Sequence, residues 1–284
     1  MPDDVAARAF SEGGAAVVTG GASGIGLAAA RRFAAMRLPV LIADRPGERL
    51  DAAQASLQGD GGRVIAHPCD VARPEDWASL RDRAFSAFGH VGVLMLNAGV
   101  GANPGRAWEN SVGWRSLIEV NFWGVVNGVQ ALVPAMLETA RPGLVIVTGS
   151  KQGITTPPGN SAYNVSKAGL KVFTEALAYE LRNTPDSQLS VRLLIPGFTF
   201  TGISAASGRE KPAAAWTPEQ VIEFMLERLE RGDFYILCPD NDVDRATDQK
   251  RMQWAVDDII KNRPALSRWH PDFKGEFETF MAGG

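Results

Sequence analysis

The sequence is poor in the groups that build covalent staples and metal cages. Its 284 residues hold two cysteines, Cys69 and Cys238, far apart and outside any CxxC, and three scattered histidines, His67, His90 and His270. Neither a disulfide framework nor a zinc site follows from them. A basic excess is also missing. The 29 lysines and arginines stand against 32 acidic residues, for a net charge of -3, and no basic run is interleaved with aromatics. Nucleic acid is thus offered no electrostatic footprint. No apolar run approaches the eighteen or more residues of a membrane span, and the opening MPDDVAARAF is acidic and short of an apolar core. These absences predict a cytoplasmic protein with no membrane partner. Repeats and low-complexity tracts are lacking as well. The 45% hydrophobic content forms one composition regime, which predicts a single domain over residues 1–284.

What is present starts with AAVVTGGASGIG, Ala15 to Gly26: four apolar residues, then a glycine-spaced turn. That order suits a short buried strand opening directly into a helix. Gly20, Gly24 and Gly26 stand where a side chain would block the tight turn, the approach of the backbone to a pyrophosphate, and the packing of helix on strand. Eighteen residues past Gly26, the apolar run PVLIA ends on Asp44. A carboxylate there accepts hydrogen bonds from a ribose 2′-OH and repels a 2′-phosphate, which favours NAD over NADP. Arg45 leaves NADP open, because its guanidinium could take a 2′-phosphate in fork geometry.

Further apolar runs recur at Arg63 to Ala66, Gly92 to Leu96, Leu144 to Thr148, Ser190 to Ile195 and Phe234 to Leu237, making seven strands with the first two. Between them lie segments of helical period, including Ala28 to Met36, Glu75 to Phe88, Trp114 to Leu137 and Ala162 to Leu181. Continuous apolar strands alternating with helices predict an α/β, Rossmann-type doubly wound sheet, mostly parallel, with helices on both faces. Thr217-Pro218-Glu219-Gln220 has the cap, proline and glutamine of a helix start, and the helix runs to Gly232. The Gly/Pro/Ala-rich stretch between Gly197 and Thr217 predicts a mobile substrate loop near 198–216. Asp240, Asp242 and Asp244 resemble a calcium loop only briefly, since Arg245 and Arg251 occupy its glycine and glutamate positions; helix capping accounts for them better. An amphipathic helix follows, through Ile260. The last twenty residues, with Trp269, Phe273, Phe277 and Phe280, are too aromatic for a disordered tail. They are expected to pack on the domain, a neighbouring subunit or the substrate mouth.

Chemistry points to Tyr163 and Lys167, one helical turn apart in SAYNVSKAGL and therefore on one face. A cation close to a phenol favours the phenolate, so Lys167 is expected to lower the Tyr163 pKa from near 10. Ser150, at the end of the strand LVIVT, can hydrogen-bond a carbonyl or alcohol oxygen while Tyr163 moves its proton.

Together TGGASGIG, NAG at Asn97 to Gly99, Asn121 in VNFWG, Ser150, YNVSK and PGFTFT from Pro196 resemble the short-chain dehydrogenase/reductase family over about residues 10 to 240. The resemblance implies Tyr163 as acid/base, Lys167 also holding the nicotinamide ribose, Ser150 fixing the reacting oxygen, and Asn121 anchoring a relay water. It implies cofactor contacts from Gly20, Ser23, Gly24, Ile25 and Gly26 at the pyrophosphate, Asp44 with Arg45 at the adenosine ribose, and Asp70 and Val71 around the adenine. Asn97 and Gly99 would sit by the second ribose, and Pro196, Gly197, Thr199 and Thr201 near the nicotinamide. Gly149 stands where the family often has Ser, and Thr199 where it often has an aliphatic residue; neither removes a catalytic group.

The implied activity is NAD(P)-dependent hydride transfer on a small-molecule secondary alcohol or ketone, leaning to oxidation with NAD. The implied assembly is a homo-oligomer, a tetramer or dimer through the helices of Trp114 to Leu137 and Ala162 to Leu181. Pocket walls are expected from Val100 to Asn103, Gln152 to Thr156, Asn160 and the loop Phe198 to Ala215, with Trp108 and Trp216 nearby. They carry few charges, which suits an apolar or ring-containing substrate; Lys151 and Arg209 are the cations that an acidic substrate would use. A sugar epimerase or dehydratase would pair TGxxGxxG with a longer C-terminal domain, and a non-catalytic redox sensor tends to lack the Tyr/Lys pair.

Overall fold

The computed structural model describes residues 4–12, 14–201 and 210–283. Seven strands, β1 (Ala15–Thr19), β2 (Val40–Asp44), β3 (Val64–Pro68), β4 (Val91–Leu96), β5 (Gly143–Thr148), β6 (Leu189–Ile195) and β7 (Tyr235–Leu237), form one sheet. Its order is β3-β2-β1-β4-β5-β6-β7 and every pairing is parallel. The doubly wound sheet expected from the alternating runs is therefore the observed fold. Strands β1, β4 and β5 are buried along their whole length, because helices cover both faces and each alternate side chain enters a core.

Those two cores divide the helices. On one face Val18, Ile42, Met95 and Ile146 pack with Phe33 of α2 (Gly24–Ala35) and Met225 of the later helix Pro218–Glu230. The helix α1 (Asp4–Ser11), which no sequence signal announced, also seals this face through Ala6 and Ala9. On the other face Val17, Leu94, Val145 and Leu193 pack with Trp77 of α4 (Pro74–Phe88), with α6 (Gly124–Glu138) and with α8 (Ser161–Asn183). Helix α3 (Glu48–Gly59) links β2 to β3, and the single turn α7 (Gln152–Thr155) links β5 to α8. The helix starting at Pro218, α9, has the capping box expected: Gln220 N donates to Thr217 Oγ1, and Thr217 N donates to the Gln220 side chain.

One expected helix is different. The segment read as Trp114 to Leu137 runs from α5 (Ser111–Ile118) through one π turn (Glu119–Trp123) into α6. The wider turn carries Asn121 inward, where Val100 N donates to its Oδ1 at 2.7 Å and its Nδ2 donates to Val100 O at 3.0 Å. Those bonds offset the irregular backbone, and such turns concentrate at functional sites. By length and composition Ser111–Glu138 could also cross a membrane, which single-run counting missed, although half of its apolar window is buried in the domain.

Beyond β7 the chain forms α10 (Arg245–Ile260), two short 3-10 turns and α11 (Lys274–Ala282). Asp244 caps α10 by accepting from Thr247 N. The aromatic tail packs on the chain itself: Phe277 and Phe280 lie 5.2 and 5.3 Å from the Trp254 ring, and the Arg263 guanidinium stacks on that ring at 3.7 Å. The expected loop 198–216 is described only in part. Its ends are tied, with Phe200 N donating to Trp216 O and Trp216 N to Phe198 O, while 202–209 lie outside the described residues.

Gly26 supports the first turn by absence of a side chain, since a Cβ would stand 2.2 Å from Gly20 O and 2.7 Å from the Asn97 amide nitrogen. Gly26→Ala is expected to cost about 3 kcal/mol, the upper end of ordinary overpacking. Thermal unfolding checks it, and an unchanged Tm would contradict this packing.

Candidate active site

The strand order reverses between β1 and β4, and ligands of open α/β sheets bind outside the carboxyl ends of the strands at such a switch point. Here a cavity of about 930 Å³ opens. A chain of hydrogen bonds ties the strand ends beneath it. Thr19 Oγ1 accepts from Asn97 N at 2.9 Å and Ala98 N at 3.1 Å, and the Asn97 amide donates to Thr19 O at 3.1 Å. Thr148 Oγ1 donates to Asn97 Oδ1 at 3.2 Å, and Lys167 Nζ donates to Thr148 O at 2.9 Å. Thr19 was not among the expected site residues; its signal was its place between the strand and the first glycine.

Most of the residues expected to hold a dinucleotide gather along the cavity. Gly20, Ser23, Gly24 and Ile25 line the cavity, as do Asp44, Arg45, Asp70 and Val71. Gly20 and Gly24 have φ of +64° and +52°, a region open to glycine at little cost. Gly26 does not line it and acts through packing instead. Asp44 is aimed by two amides, Ala22 N at 3.1 Å and Arg45 N at 2.8 Å. Asp70 accepts from Ala72 N at 3.0 Å, and the Val71 carbonyl accepts from the Trp77 indole at 2.9 Å. Arg49 and Cys69 also border this half, unannounced by sequence. Burial pushes the Cys69 thiol up to about 12, which leaves it unreactive.

The other half holds Asn97, Gly99, Ser150, Tyr163, Lys167, Pro196, Gly197, Thr199 and Thr201. Ser150 Oγ accepts from Gln152 N at 3.2 Å, so its own proton is available to a partner. Asn121 lies behind the cavity wall, its amide taken up by Val100 and, at 3.3 Å, by Ser166 Oγ. Its side chain therefore braces the floor beneath Tyr163 and Lys167.

Electrostatics departs from expectation at Tyr163. Burial raises its pKa above 10, and the hydrogen bond with Ser150 opposes that rise. Lys167 is not what sets it, because its ammonium is bound to the Thr148 carbonyl and stands 5.7 Å from the centre of the Tyr163 ring. Burial instead lowers Lys167 itself to about 8. The phenol is consequently protonated at neutral pH.

Several expected wall residues stand apart. Trp108 is 79% exposed, and Trp216 stacks edge-on with Phe224 away from the cavity. Of the stretches 100–103 and 152–156, Val100 and Gln152 reach the cavity wall. Asn103 and Asn160 instead strap the loops together through Gly159 O and Ala102 O. Lys151 is not a free cation, being paired with Asp248 at 2.6 Å and Asp240 at 3.4 Å. That pairing also corrects the capping role expected of Asp240. Arg209 lies outside the described residues.

A glycine cradle, an aimed carboxylate and a Ser/Tyr/Lys group thus stand around one cavity. The short chain dehydrogenase family model matches residues 14–212, and the chain belongs to the short-chain dehydrogenase/reductase family. It is 35% identical over 261 residues to the 1-deoxy-11-beta-hydroxypentalenate dehydrogenase of Streptomyces exfoliatus, covering 90% of this chain and 94% of that one. The 2,5-dichloro-2,5-cyclohexadiene-1,4-diol dehydrogenase LinX of Sphingobium indicum is 31% identical over 221 residues, 78% of this chain and 82% of its own. A short-chain dehydrogenase/reductase from Burkholderia phymatum in complex with NAD superposes with TM-score 0.79 at 28% identity, over 89% of this chain and 96% of that chain. A metagenomic short-chain oxidoreductase in complex with NADP has TM-score 0.67 at 27% identity, over 80% and 97%.

The Lys167 shift carries a sign. Between about 8 and the ordinary 10.5 the unfolded chain binds the proton more tightly, so this group's contribution to stability rises with pH across that window. Thermal unfolding should show the wild type gaining on Lys167→Met as pH rises from about 8 to about 10. A gap independent of pH would contradict the burial of the charge.

Proposed function

We propose that this chain is an NAD-dependent dehydrogenase/reductase of secondary alcohols and ketones, with Tyr163 as the acid/base. The observation that carries it is Ser150 and Tyr163 meeting over the buried Lys167 at the open end of the glycine cradle. The Gly20 to Ile25 turn would hold a pyrophosphate, Asp44 the adenosine ribose and Lys167 the second ribose. A bound nicotinamide supplies or accepts the hydride at the substrate carbon.

The protein's part is the proton. In reduction the Tyr163 Oη gives its proton to the carbonyl oxygen, which the Ser150 hydroxyl orients. In oxidation the alcohol proton passes to the Tyr163 phenolate. The raised phenol pKa suits proton donation at neutral pH, so oxidation speeds up as pH rises toward alkaline values.

Substrate class follows from the wall chemistry. Val100 and Phe198 are apolar, and the Lys151 charge is answered by Asp240 and Asp248, so an uncharged, ring-containing alcohol fits better than a free carboxylate. The ring diol named for LinX accords with this. NADP is the second reading, favoured by Arg45 and Arg49 beside Asp44. Assembly as a homo-oligomer and a cytoplasmic location belong to the same proposal. Exposed Val165, Val172 and Tyr179 on α8 support the former, and the free thiols of Cys69 and Cys238 accord with the latter.

Tyr163→Phe is expected to lower turnover by about 10² to 10⁴ and to leave the Kd for NADH within about threefold, measured by fluorescence titration. Turnover near wild type would overturn the assignment. Asp44→Asn should raise the kcat/KM ratio of NADP over NAD by about tenfold or more, as removal of a repelled carboxylate requires; an unchanged ratio would assign cofactor choice to the arginines.

A further inference from the structure

Residue 151 follows the proposed catalytic serine and borders the cavity, and its ammonium is held in a buried acidic clasp. Its ammonium lies 2.6 Å from Asp248 Oδ2 and 3.4 Å from Asp240 Oδ2, with the three side chains 15%, 6% and 8% exposed. Both carboxylates come from beyond β7, in the C-terminal extension.

The clasp reaches the site by three routes. Lys151 N donates to Pro196 O at 3.2 Å and Gly149 N to Leu194 O at 2.7 Å, so 149–151 prolongs the β5–β6 ladder past the sheet. The Lys151 stem closes over Gly197, where a Cβ would meet Lys151 Cε at 3.1 Å and Asp240 Oδ2 at 2.8 Å. Asp240 Oδ2 also accepts from Phe198 N at 3.3 Å. Ser150 is thereby fixed between a ladder on one side and Gln152 N on its Oγ.

The carboxylates are themselves held. Asp240 Oδ1 accepts from Asp242 N at 3.2 Å and Val243 N at 2.9 Å. Asp248 stands in the first turn of α10, whose Trp254 is locked by Phe277, Phe280 and a 2.8 Å bond to Ser267 Oγ. Helix α11 closes the set, Lys250 Nζ donating to Met281 O at 2.7 Å. A buried pair of this kind adds little net stability over apolar packing but fixes geometry.

We propose that Lys151, clasped by Asp240 and Asp248, is a positioning residue that holds the Ser150 hydroxyl in register with the Pro196–Phe198 turn, so the C-terminal extension is part of the reaction machinery. The inference rests on the reading of Ser150 given above. Asp248→Asn keeps the shape of the clasp and removes its shortest ion pair, whereas Lys151→Arg keeps the charge.

The test is a kinetic cycle. Asp248→Asn should lower kcat by about tenfold or more, the scale of a small misplacement of a catalytic group, with the Kd for NADH within about threefold. In a Ser150→Ala background the same change should cost under about threefold, because the two act as one unit. Lys151→Arg should retain at least about half of wild-type kcat, a recovery that charge pairing predicts. An equal loss in both backgrounds, or wild-type kcat with a lowered Tm, would overturn the proposal and leave the clasp purely structural.

Amide exchange keeps the two readings apart. If Ser150→Ala retains full turnover, the reading of the serine fails, and the clasp is still judged by protection of segments 149–154 and 196–200. Faster exchange there in Asp248→Asn sustains it; unchanged protection overturns it.

Discussion

The site depends on one buried ammonium. Lys167 is almost wholly enclosed, and burial drives its pKa down to about 8. It is anchored on the Thr148 carbonyl at the end of β5, and Thr148 is joined through Asn97 to Thr19 at the end of β1. Placing a cation there therefore requires the parallel register of β1, β4 and β5, the strand reversal between β1 and β4, and the rotation of α8 that turns Lys167 and Tyr163 to the same side. Sheet, helix and polar chain form one condition. The glycine turn belongs to it as well, since a Cβ at Gly26 would collide with Gly20 O and the Asn97 amide.

Much of this was legible. Strands β1, β4 and β5 announced themselves as unbroken apolar runs because both sheet faces are covered, and the Tyr163/Lys167 spacing placed both on one helix face. Strand-end residues such as Asp44 and Ser150 could be placed because the run before each fixes where a strand stops. Three things were not legible, each because it depends on tertiary contact. The π turn at Glu119–Trp123 exists because Asn121 finds the Val100 backbone, 21 residues earlier. The direction of the Tyr163 shift is decided by burial and by where the Lys167 ammonium is tethered, not by sequence spacing. Lys151 looked like an open cation because its carboxylate partners lie 89 and 97 residues further along the chain.

That last point bears on specificity. With Lys151 occupied by Asp240 and Asp248, the described lining around Ser150 includes Val100, Gln152, Tyr163 and Phe198, and under the proposed function Ser150 and Tyr163 would meet the reacting oxygen. Under the proposed function, an alcohol carried on an apolar ring would satisfy such a wall without leaving a buried charge unanswered. Tyr163 and Lys167 stand on the long helix α8 and Ser150 just past the end of β5, while the 196–201 turn is held by Asp240 and α7 packs against α10.

The most direct test of the account is reduced-nicotinamide absorbance in the near ultraviolet, followed with purified protein, NAD and a panel of aliphatic, alicyclic and aryl secondary alcohols, with the matching ketones and NADH for the reverse direction. The account predicts turnover strongest with uncharged ring alcohols and their ketones, and abolished together in both directions by Tyr163→Phe. Tight dinucleotide binding with no hydride transfer to or from any member of the panel would contradict it.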